Sequence, residues 1–583
     1  MRIIDYYNYI MTAAYVCFGV AAVVIYKNRT SKNNCEIKDL TAGTTNILFA
    51  LTMIIASALR LFMLGSVPYG LQQDEASIGY EAFALARYGI DRNGYAYPVH
   101  PLAFGSGGNS ELMIYLNMIS VKLFGTGVVK LRLLPAILGI LTVFVFFFVL
   151  KEIFSYSGFD GKKNVLALMG TAFLALCPWH VILSRWSLDS NIMPFLQIIG
   201  LYSFLVALRK KTIKSFAFCA GLLAVGMYGY GAGTMIIPMF ILIACVYALI
   251  KGVLGVKEVI VSGVVFMMIF MPLFLFYAVN YLGLPEIVTD YFCINKLTAT
   301  RSGEVFLTLD SSLPGKLLNN IKVLGLVLTV GNDEDMLCHF YPGYATLFEF
   351  TFPVIFIGIF IIFKDFIKGL NKKITEKEKC EYYCKNAAFA AFIVANVILS
   401  VAVETDISRM VTFFIPLIYA FVRGFDFIYS NSRKIAIIIL STLLLADVSF
   451  VKDYFTDYNS KTISIFMPTY GDAVKRAYEV AGDERQIYST YDGLSAPFII
   501  ALYYTDYDPH LFNDTVVYYD DSAMFRTAKS FGNFIFADLP EDVTAKEYEE
   551  TVFVVSSAEV SLFENEDNYI VENLGAYSVV YMN

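Results

Sequence analysis

Residues 45–76 read TNILFALTMIIASALRLFMLGSVPYGLQQDEA. The stretch 45–66 is apolar and long enough to cross a hydrocarbon core, which takes about 20 residues. A few residues beyond it stand two adjacent acids, Asp74 and Glu75. After them Ile78, Phe83 and Ala86 recur at helical spacing, with Tyr80 and Glu81 between. Two acids there can simply mark a helix N-terminus, where free N–H groups and the dipole favour carboxylates. They can also be an acid pair placed for chemistry just outside a membrane.

Composition carries the membrane reading to the whole chain. Of 583 residues, 57% are hydrophobic and 16% charged, against about 45–50% and about 25% in soluble domains. Disorder, collagen, coiled coil and small disulfide scaffolds are excluded. The fold class expected is an α-helical polytopic membrane protein. The net charge of −7 is unevenly placed: 23 acids and 8 bases fall from Val451 onward, so the first 450 residues are basic. The acidic tail argues against nucleic acid as a partner. No cysteine follows Cys384, so the tail folds without disulfides. Cys380 and Cys384 lie among Lys and Glu with no His near, too few ligands for tetrahedral zinc. Lys27 and Arg29 follow the first apolar run, where a cleaved signal peptide would have small residues.

Hydropathy predicts about twelve spans, near 6–26, 45–66, 133–153, 164–178, 191–208, 216–232, 234–250, 258–279, 350–364, 386–403, 409–428 and 434–450. The stretch 112–127 is short for a span and reads as an interfacial or re-entrant helix. Alternate loops collect the bases: Lys27, Arg29, Lys32 and Lys38, then Lys162 and Lys163, then Arg209 to Lys214. Lys251 and Lys257, the lysines of 364–385, and Arg433 with Lys434 continue the series. By the positive-inside rule that side is the cytoplasm. Both termini, the long loops 67–132 and 280–349, and the tail are then outside. Three units follow: 1–44, an extra N-terminal span with its cytoplasmic loop; 45–450, the membrane core; and 451–583, a small α/β domain. In the tail, Thr469 to Gly482 and Ala496 to Tyr504 read as helices. Gln486 to Tyr491, Phe531 to Ala537, Thr551 to Val555 and Ser578 to Tyr581 read as strands.

The polar residues hardest to explain as packing all fall in outer loops. Besides Asp74 and Glu75 these are the segment from Pro178 to Asn191, holding both tryptophans with Arg185 and Asp189 four apart. Glu404 to Arg409 precedes a Pro-containing span, and His339 to Tyr344 carries a Pro-Gly turn. Bland readings exist for each: an aromatic anchor with a solvated ion pair, an arginine snorkelling to headgroups, a turn. Together they form one layer able to hold a carboxylate that takes a hydroxyl proton and an arginine that binds phosphate. His180 reads as an interface residue rather than a second base.

At this point the residues resemble those of lipid-dependent membrane glycosyltransferases of the GT-C superfamily, nearest its protein-mannosyltransferase and aminoarabinose-transferase branch. Asp74-Glu75 resembles the acidic motif of the first outer loop. Leu112 to Phe124, followed by Gly125 and Lys130 to Leu133, is similar to the segment that leads into the next span. Ser184-Arg185 with Asp189, Tyr341 to Tyr344, and Ser408-Arg409 resemble later motifs, over roughly residues 45–450. The extra span 6–26 departs from the pattern. The resemblance implies a polyprenyl-phosphate sugar donor, and a lipid, protein or wall-polymer acceptor, in a cell membrane with the tail extracytoplasmic. Asp74 would be the general base of an inverting displacement, with Glu75 orienting it or acting in its place. Arg185 and Arg409 would hold the donor phosphate, and Asp189, Tyr341 and His339 would contact substrate. No cofactor is required by the pattern; a divalent metal on the outer acids is left open. The long loop 280–349 is expected to close over the acceptor. The rival readings are an envelope polysaccharide polymerase or ligase, a transporter, and a non-catalytic envelope scaffold.

Overall fold

A computed structural model describes residues 7–28, 37–105, 107, 109–297, 312–333, 336–523, 525–563 and 568–582. Arg29 and Lys32 lie outside the described residues, as does 298–311, the middle of the loop expected to close over the acceptor.

Every span read from hydropathy falls on a helix, but not every helix is long enough to cross. Among the described residues nine are long and apolar enough, starting with Tyr7–Ile25, Ala42–Leu61 and Val128–Ile153. The other three of the roughly twelve expected fall short of that measure. Lys163–Leu176 and Ile213–Gly226 have 14 residues each, about 21 Å at 1.5 Å per residue. Phe414–Asn431 carries Arg423 and Asp426 and is less apolar. All three still pack within the bundle. Phe414–Asn431 lies directly against Phe352–Gly369, because both carry glycine at the crossing. A Cβ on Gly358 would sit 1.7 Å from the Ala420 carbonyl oxygen, and one on Gly424 2.0 Å from that of Val354. Small residues let two backbones approach this closely inside a membrane. The extra first helix packs on the outside of this pair, with Gly19 against Phe356.

The basic loops gather at one end of the bundle. Lys162 pairs with Asp426 at 2.7 Å, and Arg209 and Lys385 both reach Glu152 at 2.8 Å. Lys251 donates to the Asn371 and Ile374 carbonyls at 3.2 and 3.1 Å. Loops grouped by charge are thus neighbours in space.

The opposite end carries the two helices of the first long loop, Gln73–Arg87 and Glu111–Phe124, and the C-terminal domain seated on them. The second is the short helix expected at 112–127. The last long helix continues through Val451 to Lys461, and the domain follows it. Its seven-stranded sheet runs, edge to edge, 517–518, 528–531, 534–536, 486–489, 551–556, 577–582 and 569–573. Gln486–Ser489 lies parallel to both neighbours, and the outer pairings are antiparallel. Helices Tyr470–Ala481 and Pro497–Tyr504 stand where helical spacing put them.

The domain docks by close contact. A Cβ on Gly79 would lie 2.6 Å from the Tyr503 ring. Tyr80 donates to the Tyr507 carbonyl at 2.9 Å, and the Gly127 N–H reaches the Tyr503 hydroxyl at 3.0 Å. On the other side, Arg526 N–H donates to the Phe104 carbonyl at 2.6 Å, and Phe104 stacks on Phe525 at 4.4 Å.

Candidate functional site

The helix Gln73–Arg87 begins at Gln72, whose side-chain oxygen accepts the N–H groups of Asp74 and Glu75 at 2.5 and 3.3 Å. Its amide donates to Asp74 Oδ2 at 3.0 Å. The acid pair therefore does mark a helix start. Successive helix residues point about 100° apart, so the two carboxylates have different surroundings. Asp74 lines an outer cavity. Glu75 is fully buried, gripped by Arg132 through two 2.8 Å contacts and by the Ser187 N–H at 2.9 Å. Arg132 also donates to the carbonyls of Pro68 and Gly70 at 2.6 and 2.7 Å, tying the chain between span and helix.

Arg185 is engaged by the backbone at the end of the second helix. It is fully buried, and its guanidinium donates to the carbonyls of Leu59, Phe62, Met63 and Val67 at 2.6–3.2 Å. Leu59 belongs to the last turn of Ala42–Leu61, whose carbonyls lack helical partners, and Phe62, Met63 and Val67 belong to the turn that follows it. Phe455 flanks the guanidinium at 4.9 Å. These contacts occupy its donors on backbone, whereas the sequence reading set it against a donor phosphate. Tyr341 is likewise engaged elsewhere: it donates to Asp457 at 2.9 Å and stacks on Tyr458. Neither residue lines the cavities described next. His180, expected as an interface residue, is fully buried with its ring 2.6 Å from Arg60.

The structure brings Asp74, Asp189, His339 and Arg409 together around a polar cavity of about 480 Å³. Asp189 accepts the Ser190 N–H at 2.7 Å. His339 is held by Asp333 at 2.8 Å, which also takes the Ile407 N–H at 3.1 Å. Arg409 contacts Asp406 at 3.2 Å and the Glu404 carbonyl at 2.5 Å. Phe104 and Phe525 form part of the wall, so the C-terminal domain helps enclose the cavity.

A second cavity, about 730 Å³, adjoins it. Its walls are apolar, with Met235, Phe266, Phe270 and Phe276 supplied by two helices long and apolar enough to cross a membrane. Its polar end carries His100, Glu111 and Tyr230. Asn109, Asp189, Tyr230 and Arg409 line both cavities, so the polar chamber and the apolar slot meet there. Such an arrangement can present a polar head to a carboxylate while keeping a long apolar tail among helices.

Asn109, Tyr230 and the His100–Glu111 pair were not found from sequence. Tyr230 sits in the Gly-rich connection between two expected spans. His100 and Glu111 are eleven apart across irregular backbone, and no periodicity joins them. Among the described residues no group of three or more His, Cys, Asp or Glu is arranged to hold a metal ion. The acids that line the polar cavity are Asp74, Asp189, Asp333, Glu404 and Asp406.

On the helix Gln73–Arg87 and the loop after it, Glu81 and Asp91 are fully buried, and Arg92 Nε lies 3.1 Å from Glu81. Burial pushes Glu81 up to about 8, against the pull of Arg92. Burial likewise pushes Asp91 up to about 6, although it accepts the Tyr95 and Asn93 N–H groups.

No protein-family model and no curated protein matches the chain. Solved structures do show similarity. The archaeal oligosaccharyltransferase AglB from Archaeoglobus fulgidus, in complex with an inhibitory peptide and a dolichol-phosphate, gives a TM-score of 0.49 at 13% identity. The match covers 79% of this chain and 64% of that one, so the chain spans less than two thirds of AglB. ArnT from Cupriavidus metallidurans bound to undecaprenyl phosphate gives 0.49 at 13% identity, over 93% of this chain and 98% of ArnT. The S. cerevisiae protein O-mannosyltransferase Pmt1–Pmt2 complex bound to the sugar donor gives 0.30 at 17% identity, over 42% and 36%.

Proposed function

We propose that the chain is an integral membrane glycosyltransferase of GT-C type. It moves a sugar from a polyprenyl phosphate to an acceptor hydroxyl on the extracytoplasmic face. The observation that carries this reading is the meeting of a polar chamber with an apolar, membrane-level slot at Asp189 and Arg409, with Asp74 on the chamber wall. The polyprenyl chain lies in the slot and the acceptor enters the chamber. Asp74 takes the proton from the acceptor hydroxyl, whose oxygen attacks the anomeric carbon from the face opposite the phosphate. The bond from that carbon to the phosphate oxygen breaks, and its electron pair leaves with the phosphate. Arg409, the arginine shared by both cavities, offsets the charge that develops there. The configuration at carbon inverts. Asp189 and His339 contact sugar or acceptor from the facing walls. Glu75 acts through position, fixing the helix start that aims Asp74. The basic end of the bundle faces the cytoplasm, which puts the C-terminal domain outside. The acceptor class is a lipid, protein or wall polymer.

The test is sugar transfer in membranes given a panel of polyprenyl-phosphate sugars, comparing wild type with Asp74→Asn. Transfer by wild type and its loss in the variant, with donor still bound, supports the reading and identifies the sugar. Normal transfer by the variant removes Asp74 from the chemistry. No transfer by wild type from any donor favours the polymerase or scaffold readings.

A further inference from the structure

Resting on that reading, we propose that His100, held by Glu111, is a second cationic contact to the donor phosphate at the polar end of the apolar slot.

The imidazole is fixed from three directions. Its backbone neighbours are paired to the second long loop: Val99 N–H donates to the Cys293 carbonyl at 2.8 Å, beside the bridge between Pro98 and Cys293. The ring packs on Phe276 at 4.3 Å between centroids. Nδ1 is in close contact with the Glu111 carboxylate. Glu111 opens the helix Glu111–Phe124, and Tyr115 on the same helix returns to the Pro98 carbonyl at 2.7 Å. The helix therefore carries the carboxylate and also anchors the segment that carries the histidine.

Among the described residues lining the slot, His100 and Arg409 are the basic ones. The acceptor chamber holds Arg409 but not His100. A group that must be met by both cations is therefore on the slot side of the junction, which is where the head of a lipid anion would lie. The pairing with Glu111 sets the chemistry of the ring. With Nδ1–H on the carboxylate, a neutral imidazole offers a bare Nε2, whereas the imidazolium donates through both nitrogens. Carboxylate, imidazolium and phosphate in series place each anion against a cation. When the sugar–phosphate bond breaks, the phosphate gains charge, and a donor already aimed at it stabilises the departing lipid more than the bound donor.

The experiment measures binding of undecaprenyl phosphate and of undecaprenol, its phosphate-free counterpart, to the full chain in nanodiscs. Wild type is compared with His100→Gln, His100→Lys and Glu111→Gln. The expected result is a preference of wild type for the phosphate, reduced about tenfold in His100→Gln, the loss of one charge-assisted hydrogen bond. Lysine at 100 restores it, and Glu111→Gln reduces it because the ring loses its anionic partner. Undiminished preference in His100→Gln overturns this proposal and leaves the glycosyltransferase reading intact. If wild type itself shows no preference, the donor assignment falls and this proposal with it. Should His100→Gln not fold, failure of His100→Lys to prefer the phosphate overturns the proposal equally.

Discussion

Asp74 lines the polar cavity, whereas Glu75 is enclosed by Arg132 and the Ser187 amide. Substituting them separates chemistry from architecture. Asp74→Asn is expected to lower transfer by about two to four orders of magnitude, the usual worth of a general base, with the melting temperature unchanged. Glu75→Gln strands a buried guanidinium, which costs about 3–5 kcal/mol when one partner of a buried pair is removed. It should appear as a large fall in melting temperature of the detergent-solubilised protein. A stable Glu75→Gln protein without activity would reverse the two roles. Arg185→Lys loses the fork that binds the carbonyls of Leu59, Phe62 and Met63. It should lower stability and leave the donor KM unchanged; a raised donor KM in a stable protein would restore Arg185 to the phosphate. The acid pair was legible in the sequence as both a helix start and a candidate site; it does start the helix, and Asp74 alone of the two lines the cavity. Arg185 was not. Its spacing from Asp189 suggested a pair, but its partners lie more than 115 residues earlier in the chain, beyond the reach of local periodicity.

The helix Gln73–Arg87 joins the site to the C-terminal domain. Its Gly79 admits the Tyr503 ring, so Gly79→Val forces Tyr503 and Leu131 to move. Overpacking of this kind costs about 1–3 kcal/mol. The expected outcome is faster proteolysis between membrane core and tail, with reduced transfer because Phe525 no longer walls the cavity. The same helix carries a pH response. Glu81 at about 8 and Asp91 at about 6 are raised by burial, above unfolded values of about 4.3 and 3.9. Acids raised in the folded state bind more protons there, so their stabilisation is complete below the unfolded values. It is lost as pH rises through 6 and then 8. Protease resistance of the outer end should therefore fall between pH 5 and pH 8.5, about the span of the two titrations. Glu81→Gln should flatten that slope; an unchanged slope would assign it to other groups. In the tail, the helices and three of the four strands read from pattern are present, whereas Phe531 to Ala537, read as one strand, is a hairpin that turns between 528–531 and 534–536. The strands that escaped notice, 517–518, 528–531 and 569–573, lie on the outer side of the sheet and are short or half exposed. Such strands carry little of the alternation that marks a buried face. Strand order depends on long-range pairing that no local pattern encodes.

For the molecule as a whole, composition alone placed the chain in a membrane, and the count of spans was less legible than their positions. Lys163–Leu176 and Ile213–Gly226 are apolar but short, and hydropathy registers apolarity better than where a helix ends. Sidedness rests on the distribution of charge. The loops assigned to the cytoplasm meet through Lys162 with Asp426 and through Lys385 and Arg209 with Glu152. Lys373 is exposed in one of those loops, and Glu541 is exposed on the C-terminal domain at the opposite end. A cysteine at each site is a direct probe. A membrane-impermeant maleimide applied to intact cells should label Glu541→Cys above the wild-type background and leave Lys373→Cys unlabelled until the cells are opened. The reverse pattern would turn the molecule over and put the polar chamber in the cytoplasm. The proposed extracytoplasmic acceptor would then be excluded, although the geometry of Asp74, Asp189 and Arg409 would stand. Labelling of both sites in intact cells would mean that an even number of the helices between residues 373 and 541 cross. Three long or charged helices lie in that interval, Lys377–Ala402, Phe414–Asn431 and Arg433–Lys461. Opposite labelling requires all three to cross, or only one. Phe414–Asn431, the helix carrying Arg423 and Asp426, is the one whose crossing the experiment decides. Its tight glycine-lined contact with Phe352–Gly369 argues that it crosses beside that span, with its charged residues at the cytoplasmic end.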